Sequence, residues 1–181
     1  MRTGSADELG AWLAGRAASD DRLVLLVDGG SGSGKSVLTS GFVRAWPRDV
    51  QVVTLDDVYP GWDGLAAASA AVPGMIAGER PGYRRWDWVR SRPAEWVELD
   101  PRADVVVEGC GALTPESARL ATFRVWCSLD PGARKRRALE RDGELFRPHW
   151  DDWERQERHH WRAHRPMGLA DVVVRVTSSV G

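Results

Sequence analysis

One short segment constrains the fold of this 181-residue chain more than any other. The apolar run Leu23-Val24-Leu25-Leu26-Val27 leads into a glycine-rich turn, and apolar residues at helical spacing follow over residues 37–46. A short run that is apolar throughout and ends at glycines is typical of a fully buried strand. The sequence therefore predicts a buried strand, a tight turn and a helix in immediate succession.

The turn between this strand and helix matches the phosphate-binding pattern G-x-x-x-x-G-K-[ST], the P-loop. Glycines let backbone amides approach phosphate oxygens, and the following helix adds the positive end of its dipole. Lys35 supplies a positive charge for the outer phosphates, and Mg2+ prefers oxygen ligands such as the Ser36 hydroxyl. We therefore expect ATP and Mg2+ to bind here. The expected nucleotide-binding residues are Gly29, Gly30, Ser31, Gly32, Ser33, Gly34, Lys35, Ser36 and Val37.

A magnesium site also needs a carboxylate, and Glu108 is the best placed. It ends the apolar run Val105-Val106-Val107 in the way that a Walker B acid ends its strand. The alternative is a solvated glutamate at the end of a strand. We expect Glu108 to be a metal ligand together with Ser36.

Two aspartates follow a second strand-like run at residues 50–55. In a parallel sheet, Asp56 and Asp57 emerge at the same carboxyl edge as the P-loop. A carboxylate there can orient or deprotonate an acceptor hydroxyl that faces the γ-phosphate. The alternative is an ordinary turn with two exposed aspartates.

Three arginines lie at three- and four-residue spacing in a strongly charged segment, so Arg134, Arg137 and Arg141 share one face of a predicted helix. Such a face can bind a transferring phosphate through forked hydrogen bonds. A solvated basic face is the alternative, and the P-loop favours the phosphate clamp.

The remaining elements alternate between strands and helices. Strand-like runs at 104–107, 123–127 and 171–176 are separated by helical segments, and a helix is also predicted from Ser5 to about Ala18. This alternation favours a parallel sheet covered on both faces. With 43% hydrophobic residues the chain can bury one core. We expect a single domain over residues 1–181, with a substrate-binding insertion at about 56–100 and a lid at about 131–166.

Composition argues against several classes of partner. The formal net charge is -1, so no overall field attracts nucleic acid or anionic membranes. The ten tryptophans are scattered rather than interleaved with basic residues, which favours packing roles. No signal peptide or membrane span is recognisable, so we expect a cytoplasmic monomer or homodimer. The histidines at 159, 160 and 164 lack the H-E-x-x-H zinc pattern, and their role is left open.

At residues 27–36, at Leu55-Asp56-Asp57-Val58-Tyr59 and at Val107-Glu108-Gly109, the chain resembles the uridine kinase branch of P-loop kinases. That branch also includes pantothenate kinase and phosphoribulokinase. The resemblance implies a three-layer α/β/α P-loop NTPase fold with a five-stranded parallel sheet of kinase-type strand order 2-3-1-4-5 and a helical lid. It also implies that the strand of Glu108 lies beside the strand that precedes the P-loop.

The resemblance assigns roles to individual residues. Asp56 serves near the acceptor hydroxyl and the metal, Tyr59 lies near the substrate, and the arginine-bearing segment closes over phosphates. The expected catalytic residues are Lys35, Asp56, Arg137 and Arg141. The expected metal ligands are Ser36, Glu108 and Asp56.

The substrate region departs from the family pattern. Uridine kinases carry a Y-D-H-P-D-A-F-D-like segment, whereas this chain has Tyr83-Arg84-Arg85-Trp86-Asp87-Trp88. Asp87 can keep the role of an acidic hydroxyl contact. Arg84 and Arg85 either meet an anionic substrate or form a surface pair beside packed tryptophans. The expected substrate residues are Asp57, Tyr59, Tyr83, Arg84, Arg85 and Asp87.

The leading hypothesis is ATP-dependent transfer of a phosphoryl group to a hydroxyl of a small molecule, such as a nucleoside, a nucleotide or another metabolite. A P-loop ATPase or a nucleotide-binding switch would share the same phosphate site and transfer to water instead. A nucleic-acid-processing protein is the third alternative, and the balanced charge counts against it.

Overall fold

The computed structural model of this chain describes Gly15 and residues 22–176. The helix predicted between Ser5 and Ala18 lies, except for Gly15, outside the described residues. The described residues contain seven strands in chain order: β1 Val24–Gly29, β2 Val50–Thr54, β3 Gly82–Asp87, β4 Arg92–Glu98, β5 Asp104–Glu108, β6 Phe123–Ser128 and β7 Val172–Arg175. The helices are α1 Lys35–Ala45, α2 Leu65–Ala77, α3 Pro115–Leu120, α4 Pro131–Phe146, α5 Trp150–His164 and α6 Pro166–Leu169.

Five of the strands form one parallel sheet in the order β2-β5-β1-β6-β7. Counted within this sheet alone, the order is 2-3-1-4-5, so the predicted kinase-type order is confirmed. The pairing of β1 with β5 places Val27 opposite Glu108, as expected for the strand that carries the candidate metal ligand.

The central strands are buried on both faces, and helices cover both. Along β1, Val24 and Leu26 pack into a core cluster with α2 and α5. Leu25 and Val27, which point to the other face, pack with Leu38 and other residues of α1. This alternation explains the unbroken apolar run, because both faces of the strand need apolar side chains. The result is the predicted three-layer arrangement.

The segment between β2 and β5 contains more structure than the sequence indicated. Within the expected insertion, Leu65–Ala77 forms a helix, and β3 and β4 form an antiparallel hairpin that was not predicted. The strand β3 reads Gly-Tyr-Arg-Arg-Trp-Asp, with consecutive arginines in place of an apolar and polar alternation. The hairpin therefore has no clear period-two signal.

The charged segment after β6 forms two helices, as the prediction of a helical lid required. Asp130 caps α4 by accepting a hydrogen bond from the Ala133 amide at 3.0 Å. The path changes at Gly143, whose φ of 54° departs from helical geometry, before a short turn leads into α5. Among the described residues, no helix is both long and apolar enough to span a membrane.

One buried carboxylate joins the amino ends of the sheet. Asp104 accepts hydrogen bonds from the Leu23 amide at 2.8 Å, the Trp46 indole at 2.8 Å and the Arg48 guanidinium at 2.7 Å. Burial raises the pKa of the Asp104 carboxyl, but hydrogen bonds from these partners outweigh burial and lower its pKa below the ordinary value.

We predict that Asp104→Asn lowers the free energy of unfolding by about 2 kcal/mol at neutral pH, because a buried donor loses its charged acceptor. The pKa is depressed in the folded state, so the contribution exists above the unfolded pKa and is lost as pH falls below about 4. Denaturant unfolding at several pH values measures the difference between wild type and variant. The exposed Asp49→Asn serves as control, and a difference that persists undiminished in acid would contradict the account.

Candidate active site

The P-loop connects β1 to α1 at the carboxyl edge of the sheet. Gly32 and Gly34 have φ values of 75° and 92°, a region that glycine adopts without steric cost. Gly34 is the residue that caps α1, and it has no side chain to occupy the first-turn amides. These amides and the helix dipole therefore form a site for an anion such as phosphate.

Lys35 is buried at the first position of α1. Its ammonium donates to the Gly30 carbonyl oxygen at 3.2 Å and to the Cys110 sulfur at 3.4 Å. Burial lowers the pKa of Lys35, but the acidic groups around it, Glu108 and Glu157 among them, outweigh burial and raise the pKa above its usual range. The side chain therefore stays positively charged beside the phosphate-binding amides.

The candidate metal ligands Ser36 and Glu108 are in direct contact. The Ser36 hydroxyl donates to Glu108 Oε1 at 3.1 Å. Burial raises the pKa of Glu108, while the charge of Lys35 acts in the opposite direction. A hydroxyl and a carboxylate oxygen side by side at the P-loop are the hard donors that Mg2+ prefers, so these residues fit the metal.

The helices α4 and α5 hold the P-loop at Ser31. Each polar group of Ser31 is hydrogen-bonded to a side chain of one of these helices. The Ser31 amide donates to Glu157 Oε1 at 2.7 Å. Its carbonyl oxygen accepts from Arg134 Nη1 at 3.1 Å, and its hydroxyl accepts from the Trp153 indole at 2.9 Å. The Ser31 amide therefore already has a carboxylate partner, and the Ser33 amide donates to the Gly30 carbonyl oxygen at 3.0 Å. The amides of Gly32 and of residues 34–36 are the ones left for a phosphate.

Arg134 and Glu157 also pair with each other, at 3.0 Å, and both side chains are buried. Arg134 therefore lies against the P-loop and does not face the open side of α4 with the other arginines. A Cβ atom on Gly30 would come within 1.8 Å of Arg134 Nη1, and one on Gly32 within 2.1 Å of the Arg134 carbonyl oxygen. Two glycines of the P-loop are thus needed for the packing of Arg134.

A second buried acid lies at the start of the loop. Asp28 accepts hydrogen bonds from the amides of Gly29 at 2.6 Å, Gly111 at 3.1 Å and Leu113 at 2.9 Å. Burial raises the pKa of its carboxyl to about 6, although these hydrogen bonds and Lys35 lower it. Asp28 therefore fixes the end of β1 to the segment that follows β5.

An open cavity of about 340 Å³ adjoins the P-loop, and we call it the aromatic cavity. Its lining combines the P-loop residue Ser31, the candidate base Asp56 and side chains from α4 and α5. The lining residues are Ser31, Asp56, Tyr59, Trp62, Trp88, Arg141, Asp142, Leu145, Phe146 and Trp153.

Two of the predicted catalytic residues, Asp56 and Arg141, meet at this cavity. Desolvation by the surrounding protein raises the pKa of Asp56, while Lys35 and Arg141 act in the opposite direction. Arg141 donates to both carboxylate oxygens of Asp142, at 2.8 and 2.7 Å. Arg137 lies one turn earlier on α4, where it is half-buried.

The predicted substrate residues are divided among several places. Tyr59 lines the aromatic cavity and donates to the Cys110 carbonyl oxygen at 2.8 Å. Tyr83 and Arg84 line a different cavity of about 550 Å³, between α2 and the β3–β4 hairpin. Arg85 pairs with Glu95 at 3.1 Å and with Asp57 at 3.8 Å, and Asp87 binds Arg90 within the hairpin turn.

The sequence reasoning missed the residues that surround the P-loop and line the aromatic cavity. These are Asp28, Trp62, Trp88, Phe146, Trp153 and Glu157. Scattered tryptophans and one glutamate within a charged helix carry no spacing signal. Only the position of Asp28, directly before the P-loop glycines, was a usable clue.

The histidines left open by the sequence line a third cavity of about 700 Å³, between α2, α3 and α5. His160 is buried, and burial together with the neighbouring His164 lowers its pKa to about 4. Within residues 22–176 and Gly15, no group of three or more His, Cys, Asp or Glu side chains is arranged to bind a metal ion.

Two solved structures share this fold. A possible uridine kinase from Bacillus stearothermophilus aligns with 93% of this chain and 98% of its own, at a TM-score of 0.60 and 19% identity. A protein described provisionally as a fructose transport system kinase, from Silicibacter sp. TM1040, aligns with 94% and 98%, at a TM-score of 0.60 and 15% identity. The chain therefore has the fold of uridine kinase-like P-loop kinases, as the resemblance implied.

No protein-family model matches the sequence, and no curated protein matches it either.

We predict that Glu157→Gln lowers the free energy of unfolding by about 3 kcal/mol and weakens Mg-ATP binding. The substitution keeps the side-chain shape but leaves the buried Arg134 without its counter-charge. Thermal unfolding with and without Mg-ATP measures both effects.

The exposed Glu140→Gln on α4 is the matched control and should behave as wild type. If Glu157→Gln and Glu140→Gln are equally stable and bind Mg-ATP equally well, the buried pair does not fix the P-loop.

Proposed function

We propose that this protein is an ATP-dependent kinase that transfers the γ-phosphoryl group to a hydroxyl of a small molecule. The observation that carries the proposal is the position of the candidate base: Asp56 lines a cavity that adjoins the P-loop at Ser31, and it is near enough to Lys35 for that charge to oppose the rise in the pKa of its carboxyl. A base near the P-loop lysine and a space for an acceptor beside it are the two halves needed for transfer to a hydroxyl.

The phosphates of ATP would be bound by Lys35 and by the amides of Gly32 and residues 34–37, because the Ser31 amide is engaged by Glu157 and the Ser33 amide by the Gly30 carbonyl oxygen. Ser36, Glu108 and Asp56 would hold Mg2+. When bound, the metal neutralises charge on the phosphate oxygens. The contact between Ser36 and Glu108 supports this assignment.

Asp56 would accept the proton of the acceptor hydroxyl. The acceptor oxygen then forms a bond to the γ-phosphorus while the bond from the bridging oxygen to that phosphorus breaks, which leaves ADP. A raised pKa makes the carboxylate of Asp56 a stronger base than an aspartate with the ordinary pKa. Arg137 and Arg141 would stabilise charge that develops on the transferring group.

Transfer to water is the competing reaction. The aromatic cavity favours an organic acceptor, because five aromatic residues line the space beside Asp56 and a water nucleophile needs no such surface. We place the protein in the cytoplasm as one domain that acts as a monomer or homodimer. The near-zero net charge supports a role without nucleic acid or membrane partners.

We predict that ADP formation from Mg-ATP depends on an added acceptor and matches the amount of phosphorylated product. Purified protein is incubated with hydroxyl metabolites, and ADP and labelled product are measured together. Equal ADP formation with and without every acceptor would favour an ATPase.

Two variants separate nucleotide binding from transfer. Lys35→Ala should abolish stabilisation by Mg-ATP against heat, because the outer phosphates lose their cation. Asp56→Asn should keep that stabilisation and lose transfer by about 100-fold or more, the usual range for a missing general base. The exposed Asp63→Asn is the control. Transfer retained in Asp56→Asn would remove Asp56 from the role of base.

A further inference from the structure

We infer that the phosphoryl acceptor is an uncharged alcohol that presents the face of a ring to the aromatic cavity. The inference rests on the proposed function and names the class of acceptor. It follows from the charges at the cavity, from the positions of the nearby arginines, and from the shape of the walls.

The charged groups that line the aromatic cavity do not suit an anion. Two carboxylates, Asp56 and Asp142, face one guanidinium, that of Arg141. Arg141 is already bound through two hydrogen bonds to Asp142, and the proposed function uses its remaining donors for the transferring phosphoryl group. A phosphate or carboxylate on the acceptor would therefore find no further cation in the cavity lining to pair with it.

The arginines of the hairpin do not supply that cation. Arg84 donates to the Ala94 carbonyl oxygen at 3.0 Å and lies over the Trp96 ring at 5.9 Å, beside the other cavity. Arg85 is paired with Glu95 and Asp57. These contacts favour the interpretation that Arg84 and Arg85 form a surface pair beside packed tryptophans over the interpretation that they bind an anionic substrate.

The walls of the cavity are flat and fixed by their neighbours. The Trp62 ring stacks on His149 at 4.4 Å and contacts Trp88 at 4.9 Å. The Trp88 indole donates to the backbone oxygen of Asp56 at 2.7 Å, which joins this wall to the candidate base. Aromatic walls of this kind suit the apolar or π face of a ring.

The volume of the aromatic cavity narrows the class of acceptor further. A volume of about 340 Å³ is at the lower end of the range for small-molecule sites. One ring or two fused rings therefore fill the cavity, with a hydroxyl directed to Asp56. The chemistry is that of an uncharged ring alcohol, and a phosphorylated or carboxylated counterpart is disfavoured.

Matched pairs of compounds test the inference. Uridine is compared with uridine 5′-monophosphate, fructose with fructose 6-phosphate, and glucose with glucuronate. Acceptor-dependent ADP formation gives kcat/KM, and quenching of tryptophan fluorescence measures binding without turnover. We expect the uncharged member to be favoured at least tenfold in every pair that is used or bound.

A variant with a new cation sharpens the test. Leu145 lies on the cavity rim with 71% of its surface exposed, so Leu145→Lys adds a positive charge at little structural cost. We expect it to reduce the preference for the uncharged member at least tenfold. Leu120→Lys, on α3 away from this cavity, is the matched control and should leave the preference unchanged.

The wall itself is tested by Trp88→Leu. We expect the KM for the acceptor to rise at least tenfold while the KM for Mg-ATP is unchanged. Val89→Ala, at the exposed hairpin tip, is the control.

The outcomes separate the inference from the proposed function. Preference for the anionic members would overturn the inference and leave phosphoryl transfer standing. If no compound of either kind is bound or used, both the inference and the proposed function are overturned.

Discussion

The buried ion pair between Arg134 and Glu157 is the interaction on which the candidate site depends. It joins α4 and α5 to the P-loop through the amide and carbonyl groups of Ser31. A buried pair of this kind adds little net stability, because both charges lose their hydration, but removal of one partner is costly. Its main consequence is therefore geometric: the P-loop is fixed at Ser31 before any nucleotide binds.

This arrangement divides the P-loop into two parts with different tasks. The first part, up to Ser31, is bound by the protein, and Gly30 there makes room for Arg134. The second part, from Gly32 to the first turn of α1, presents amides and the Lys35 ammonium to an anion. Because α4 also carries Arg141, the helix that fixes the loop also brings a cation to the aromatic cavity. The P-loop and the aromatic cavity are thus linked by one helix.

The strands of the parallel sheet and the P-loop followed from the sequence because each rests on a local signal, whereas the sheet order followed from the family resemblance. Apolar runs marked β1 and β5, and the glycine pattern marked the turn before Lys35. The hairpin and the cavity walls carried no such signal, since they depend on contacts between distant segments. Trp88 lies 32 residues after Asp56 and meets it only in the folded chain. Glu157 and Ser31 are 126 residues apart, which no spacing rule could connect.

Amide hydrogen exchange across residues 31–36, with and without Mg-ATP, tests this account most directly. A bonded amide exchanges slowly, so the Ser31 amide should be protected in the free protein. The Ser33 amide, which donates to the Gly30 carbonyl oxygen at 3.0 Å, should also be protected in the free protein. The amides of Gly32, Gly34, Lys35 and Ser36 should gain protection only when Mg-ATP is added. Rapid exchange at Ser31 in the free protein, or no added protection at these four amides with Mg-ATP, would contradict the division of the P-loop.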